Sequence, residues 1–172
     1  MNPGFQWARI LSTPWVTGLA TLGPIGYWGR APGTLGSVAG LVLYMLIFYG
    51  LSLLFFALLL AFLIYFAVGI CGEAEVRLSK RDPSEVILDE FVAMPLVFWG
   101  MDIYMGQSWS WLIMLFGFGL FRIFDILKPL GIARLQSLKG GWGVVMDDIA
   151  AAVAACAVLH MGLWVWSCWF AT

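Results

Sequence analysis

VAGLVLYMLIFYGLSLLFFALLLAFLIYFAVGIC, residues 38–71, runs for 34 positions without a charged side chain. One perpendicular membrane span takes about 20 residues, so the stretch is too long for a single crossing. Gly50-Leu51-Ser52 is its obvious break. The reading that follows is one helix over 35–49 and a longer one over 53–78. Nothing in a soluble domain accounts for so long an uncharged run.

The composition agrees. The 172 residues are 62% hydrophobic and 11% charged, with ten tryptophans and a mean hydropathy of +0.93, outside the range of soluble globular proteins. A net charge of −1 argues against a nucleic-acid surface. Cys71, Cys156 and Cys168 are scattered without metal-type spacing, which points to packing rather than disulfides. The first apolar stretch is short and broken by Pro14, Gly18 and Pro24, so no cleavable signal is expected and insertion relies on internal spans.

Downstream, Glu73 to Asp82 form a polar connection closed by Pro83. A helix is predicted over 85–101, carrying Asp89 and Glu90 in its first turns and kinked at Pro95. A fourth follows over 109–127 with Arg122 and Asp125 near its end, stopped by Pro129. After a loop containing Gly140, Gly141 and Gly143, a last helix is predicted over 144–170, with Asp147 and Asp148 in its first turn and tryptophans at its far end. The expected fold is an all-α polytopic membrane bundle of about five helices. It forms a single integral-membrane domain over 1–172, with 1–30 as an N-terminal interfacial segment.

Lys and Arg crowd the connections before the first, after the second and after the fourth helix, and are missing from 50–52 and 101–108. The positive-inside rule makes the first set of loops cytoplasmic. Asp89/Glu90, Arg122/Asp125/Lys128 and Asp147/Asp148 then meet at one membrane face. Ionised side chains near hydrocarbon persist where they face partners, ions or water, so these acids mark a site.

Arg122, Asp125 and Lys128 recur at three-residue steps and share a helix face. By themselves they read equally as an internal salt bridge with Lys128 reaching the headgroups. Adjacent acids at Asp147-Asp148 repel, and a hard cation with oxygen ligands removes the repulsion. Asp89 and Glu90 invite the same reading. Arg30, with Thr34 or Ser37 capping the first helix, offers an anion site at a helix N-terminus, weak evidence alone because no Walker lysine accompanies it. His160, at the opposite end, reads as structural.

Four segments in this order resemble the phosphatidylglycerophosphatase A family: APGTLGS at 31–37, ILDEFVAM at 87–94, FRIFDILKP at 121–129 and GGWGVVMDDIAA at 140–151. The resemblance extends from about Arg30 to the last helix, and FRxxDxxKP followed by GGxGxxxDD is its specific part. It implies a Mg²⁺-dependent phosphatase of the bacterial inner membrane that hydrolyses phosphatidylglycerophosphate, with the active site facing the cytoplasm. Asp89, Glu90, Asp147 and Asp148 are then the expected metal ligands, and Arg122, Lys128, Arg30, Thr34 and Ser37 the substrate-binding set. Asp89, Glu90, Asp125 and Asp148 are the expected catalytic residues; Asp125 orients Arg122, acts as general base, or attacks phosphorus. The chain departs from the pattern at Ala93, Leu130, Gly131, Ala133 and Gln136, none of them a core carboxylate. A small transporter or ion-binding protein is the rival class, but it would want acids at mid-membrane. A cytidine-diphosphate-dependent phosphotransferase would want a DGxxAR opening, which is absent.

Overall fold

The computed structural model describes residues 5–129 and 131–170, which hold helices, turns and short irregular connections and no strand. Among the described residues eight α-helices follow in order: α1 Gln6–Ile10, α2 Thr13–Ala20, α3 Pro32–Leu43, α4 Leu53–Leu78, α5 Leu88–Ala93, α6 Asp102–Met105, α7 Ser110–Leu127 and α8 Gly141–Phe170. A π-turn over Tyr44–Phe48 prolongs α3, and 3₁₀ turns follow at Ile25–Tyr27, Met94–Phe98 and Ile132–Ser137.

The uncharged run divides where the sequence breaks. Gly50 adopts φ +79°, and Asp102 Oδ1 accepts its backbone N–H at 3.1 Å, pinning the turn. Helix α4 then runs for 26 residues, about 39 Å at 1.5 Å per residue, until Ser79 turns left-handed at its C-cap. Helices α4, α7 and α8 are long and apolar enough to cross a membrane; Pro32–Phe48 is a shorter apolar helix. The chain is a membrane protein.

The predicted helix over 85–101 takes a different form. Only Leu88–Ala93 is α-helical, and Pro95, which has no N–H to donate, sits in the 3₁₀ turn that follows. From Val86 to Phe98 nearly every side chain is buried, so this stretch is an internal plug rather than a lipid-facing helix.

Glycines bring the acid-bearing elements together. A Cβ at Gly40 would lie 2.6 Å from Phe91 O and Met94 Cβ, and one at Gly36 would lie 2.9 Å from Ile87 O, so α3 lies directly on α5. A Cβ at Gly72 would stand 2.7 Å from Gly141 N, and one at Gly141 would overlap Val68 O, so the backbones of α4 and α8 touch. Small residues at such spacing allow this approach between apolar helices. Helix α8 is thereby seated centrally, against α4, α5 and α7.

The N-terminal segment is folded against this bundle. Val16 and Ala20 are fully buried, and Ala20 O accepts the Ile87 N–H at 2.9 Å, bracing the start of α5. Residues 1–4 lie outside the described structure. At the far end of α8, Trp164, Trp166 and Trp169 are exposed, in keeping with an interfacial belt.

Candidate active site

Asp89, Asp125, Asp147 and Asp148 are between 2% and 8% exposed, although they come from three helices. Four carboxylates withdrawn so far from water need compensation, and the structure supplies it unevenly.

On α7, the Arg122 Nη1 donates to Asp125 Oδ2 at 2.7 Å and to Ser37 Oγ at 3.2 Å, and stands 4.0 Å from Glu90 Oε1. The Ser37 hydroxyl donates to Gly33 O at 2.9 Å, so its lone pairs are what Arg122 meets. The guanidinium is thus held by one nitrogen, and its Nε is buried without a partner. Lys128 stands 3.9 Å from Asp125 Oδ1 and pairs with Asp147 Oδ2. Burial disfavours the Lys128 ammonium, but its hydrogen bond and attraction to Asp147 outweigh that, and its pKa is raised.

Of the other three carboxylates, Asp89 and Asp148 face no cation among the described residues and Glu90 has only the 4.0 Å contact with Arg122. One oxygen each of Asp89, Glu90 and Asp148 lie within 4.8 Å of one another, and Glu90 Oε2 and Asp148 Oδ2 are buried with no hydrogen bond. At an effective dielectric of about 20, each ionised pair at that separation repels by roughly 3 kcal/mol. Burial first, then the neighbouring Glu90 and Asp148 carboxylates, push Asp89 well above the ordinary carboxylate range. Burial also raises Glu90, with Arg122 opposing in part. Oxygen-only ligands, buried orphan lone pairs and excess negative charge fit a hard divalent cation. Asp89, Glu90 and Asp148 are the residues that could hold one.

The predicted site residues do not all gather here. Asp147, expected beside Asp148 as a ligand, points instead to Lys128, with its Oδ1 left unpartnered. Both lie in the second turn of α8 rather than its first, because the helix begins at Gly141; its terminal dipole therefore does not explain them. Ser37 and Thr34 do not cap α3: the N-cap is Ala31, with no side-chain bond. Ser37 is fully buried against Arg122, and Arg30 is exposed. The glycines of this stretch serve close packing: within the first turn of α8, a Cβ at Gly141 would overlap Val68 O of α4 and one at Gly143 would stand 2.6 Å from Leu138 O. Gln136 donates to Asp82 Oδ2 at 3.4 Å, and Leu130 lies outside the described residues. His160 contacts Cys156 at the other end of α8.

Sequence reasoning missed Gly33. A Cβ there would overlap Glu90 Oε1 and lie 3.5 Å from Arg122 Nη1, while one at Gly36 would lie 3.5 Å from Glu90 Oε2. The missing side chains make the recess that admits Glu90. The signal was available as glycine at 33, 36 and 40, three- and four-residue steps along one helix face.

Comparison with known proteins follows the same outline. The family model described as Phosphatidylglycerophosphatase A matches residues 18–163. A Haemophilus influenzae protein named phosphatidylglycerophosphatase A is 33% identical over 130 residues, 75% of this chain and 77% of the relative. An Escherichia coli protein of the same name is 28% identical over 155 residues, 87% and 84% of the two chains. A Bacteroides thetaiotaomicron protein provisionally named phosphatidylinositol-3-phosphatase is 34% identical over 146 residues, 81% and 88%. No solved structure matches significantly.

Proposed function

The chain belongs to the phosphatidylglycerophosphatase A family, and on that premise we propose that it hydrolyses phosphatidylglycerophosphate to phosphatidylglycerol and inorganic phosphate. Hydrolysis takes place at the cytoplasmic face of a bacterial inner membrane with Mg²⁺ as cofactor. The observation that carries the reading is the trio Asp89, Glu90 and Asp148, withdrawn from water with one cation at its edge, Arg122, which stands 4.0 Å from Glu90 and whose Nε has no partner. A bound Mg²⁺ would supply positive charge against the phosphoryl oxygens and the developing leaving-group alkoxide.

The chain's own residues do the rest. Arg122 is anchored through Nη1, which leaves its Nε–Nη2 edge as a planar fork for two phosphoryl oxygens. Asp125 orients that fork. Lys128, kept an ammonium by Asp147, contributes a point charge at the phosphoryl group rather than a proton. Burial of the cluster strengthens each of these contacts. The net reaction consumes one water: its oxygen joins phosphorus, the P–O bond to glycerol breaks, and the glycerol oxygen takes a proton. The acyl chains stay in the bilayer throughout, so the headgroup alone has to reach the site.

The test is phosphate release from phosphatidylglycerophosphate in mixed micelles by the purified full-length protein. Release that EDTA abolishes and Mg²⁺ restores is the expected result. Release unaffected by EDTA would remove the cation from the reading, and absence of release would remove the substrate.

A further inference from the structure

We propose that two cavities flanking residues 136–140 form one phospholipid-shaped seat, in which Lys139 binds the phosphodiester of the substrate. This rests on the lipid-phosphatase reading and defines which phospholipids that site accepts.

The first cavity is an open cleft of about 1000 Å³ between the C-terminal turn of α4, residues 79–82 and residues 136–140. Its walls are mixed, with Glu75, Lys80, Arg81, Asp82 and Gln136 supplying the polar part and Val76, Leu138 and Val144 the apolar part. The second is a groove of about 370 Å³ whose walls include Phe5, Val68, Gly69 and Trp142, with Arg9 at its border. The two share Gly72, Val76, Leu138, Lys139 and Gly140 as a common wall. An apolar compartment therefore adjoins a polar one, with a lysine at the junction.

That lysine is unusual among its neighbours. Lys80 pairs with Glu85 at 3.0 Å, Arg77 with Glu73 at 3.0 Å, and Arg81 donates to Gln136 O. Lys139 is exposed, and among the described residues it makes no ion pair and no side-chain hydrogen bond. The acids of the cleft are engaged in holding its shape: Glu75 Oε1 accepts the Asp82 N–H at 2.8 Å, and Asp82 accepts from Gln136. They leave Lys139 as the uncommitted charge.

The cleft stops one helical turn short of the carboxylates, which lie beneath its wall. Gly143 and Val144 form part of its wall, and Asp147 and Asp148 follow four residues later on α8, one turn or about 5–6 Å away. The order in space is apolar groove, Lys139, polar cleft, acidic cluster. A phospholipid with a distal phosphate has the same order: acyl chain, phosphodiester, polyol, phosphomonoester. A glycerol bridge puts roughly 7 Å between the two phosphorus atoms at ordinary bond lengths, and the cleft has room for a larger polyol. The shared chemistry is a phosphomonoester separated from a phosphodiester by a polyol. Phosphatidic acid lacks that bridge, so with its phosphate at the cluster it offers Lys139 nothing.

The test measures kcat and KM of the purified protein and its variants on phosphatidylglycerophosphate, phosphatidylinositol 3-phosphate and phosphatidic acid. For phosphatidylglycerophosphate, Lys139→Glu should raise KM about tenfold or more with a much smaller change in kcat, and Lys139→Arg should keep the wild-type KM. The KM for phosphatidic acid should move less than about twofold. Hydrolysis of phosphatidylinositol 3-phosphate with the same Lys139 dependence identifies inositol as a second accepted bridge; its absence assigns the seat to glycerol alone. A wild-type KM for phosphatidylglycerophosphate in a well-folded Lys139→Glu protein overturns the seat, as does an equal rise for phosphatidic acid. Wild-type protein that releases no phosphate from phosphatidylglycerophosphate defeats the enzymatic reading instead, so the two failures are told apart.

Discussion

Two halves of one cluster share the same kind of acid and differ in what faces it: one half pairs its carboxylates with cations, the other sets carboxylate against carboxylate. In the half built around α7, Arg122 and Lys128 alternate with Asp125 and Asp147, and every carboxylate has a cation within 4.0 Å. In the half built around α5, Asp89, Glu90 and Asp148 crowd together with a single cation contact among them, Arg122 Nη1 at 4.0 Å from Glu90, a nitrogen already held by Asp125. The paired half balances its charges as folded, with Arg122 Nε and Asp147 Oδ1 left over. The unpaired half is costly as folded, and the missing charge is what a ligand would bring. Burial alone therefore does not identify a binding carboxylate; burial without a protein partner does.

The largest effect that separates the halves is on turnover. Asp89→Asn or Asp148→Asn should cost at least about a thousandfold in phosphate release, equivalent to roughly 4 kcal/mol of transition-state stabilisation. Near-normal release by either purified variant would erase the distinction. Gly33→Ala comes next: a methyl group there would occupy the place of Glu90 Oε1, and kcat should fall about a hundredfold while the protein still inserts and purifies.

Stability should move in opposite directions. Without divalent cation, Asp89→Asn relieves repulsion and should raise the melting temperature, whereas Asp125→Asn strips Arg122 of its partner and should lower it. The sign with pH follows from Asp89, whose pKa is raised above its ordinary 3.8. The native state then holds a proton that the unfolded chain loses first. This contribution is full below about pH 4 and is lost as pH rises through the raised value. Metal-free protein should therefore melt lower as pH rises from 4 to neutral, and Asp89→Asn should flatten that slope. Smallest is Ser37→Ala, which removes one of two acceptors from Arg122 Nη1. A loss of about 1 kcal/mol, or roughly fivefold in kcat/KM, is expected.

Much of this was legible in the sequence, and the residues show why. The division at Gly50-Leu51-Ser52 and the range of α4 are local matters, a left-handed Gly50 and an uninterrupted apolar run, and the predicted 53–78 is what folds. That three acidic segments meet followed from hydropathy and loop charge. The shape of 85–101 was not legible, since Pro95 reads as a kink in a helix or as its end, and only packing against α3 decides. Nor was the depth of Asp147 and Asp148. Gly141 and Gly143 look like a loop, yet both lie in the first turn of α8, Gly141 where it crosses Val68 of α4 and Gly143 where the incoming chain passes at Leu138 O. The allotment of five acids between two halves depends on which one faces Lys128, a tertiary fact with no local signature.

The central claim, that Asp89, Glu90 and Asp148 together form the cation site and Asp147 belongs to the paired half, is tested most directly by Mn²⁺ titration of the purified protein followed by electron paramagnetic resonance. Wild type and Asp147→Asn should each bind Mn²⁺ displaceable by Mg²⁺, and Asp148→Asn should not. Unchanged binding by Asp148→Asn, or loss of binding in Asp147→Asn alone, would contradict the account.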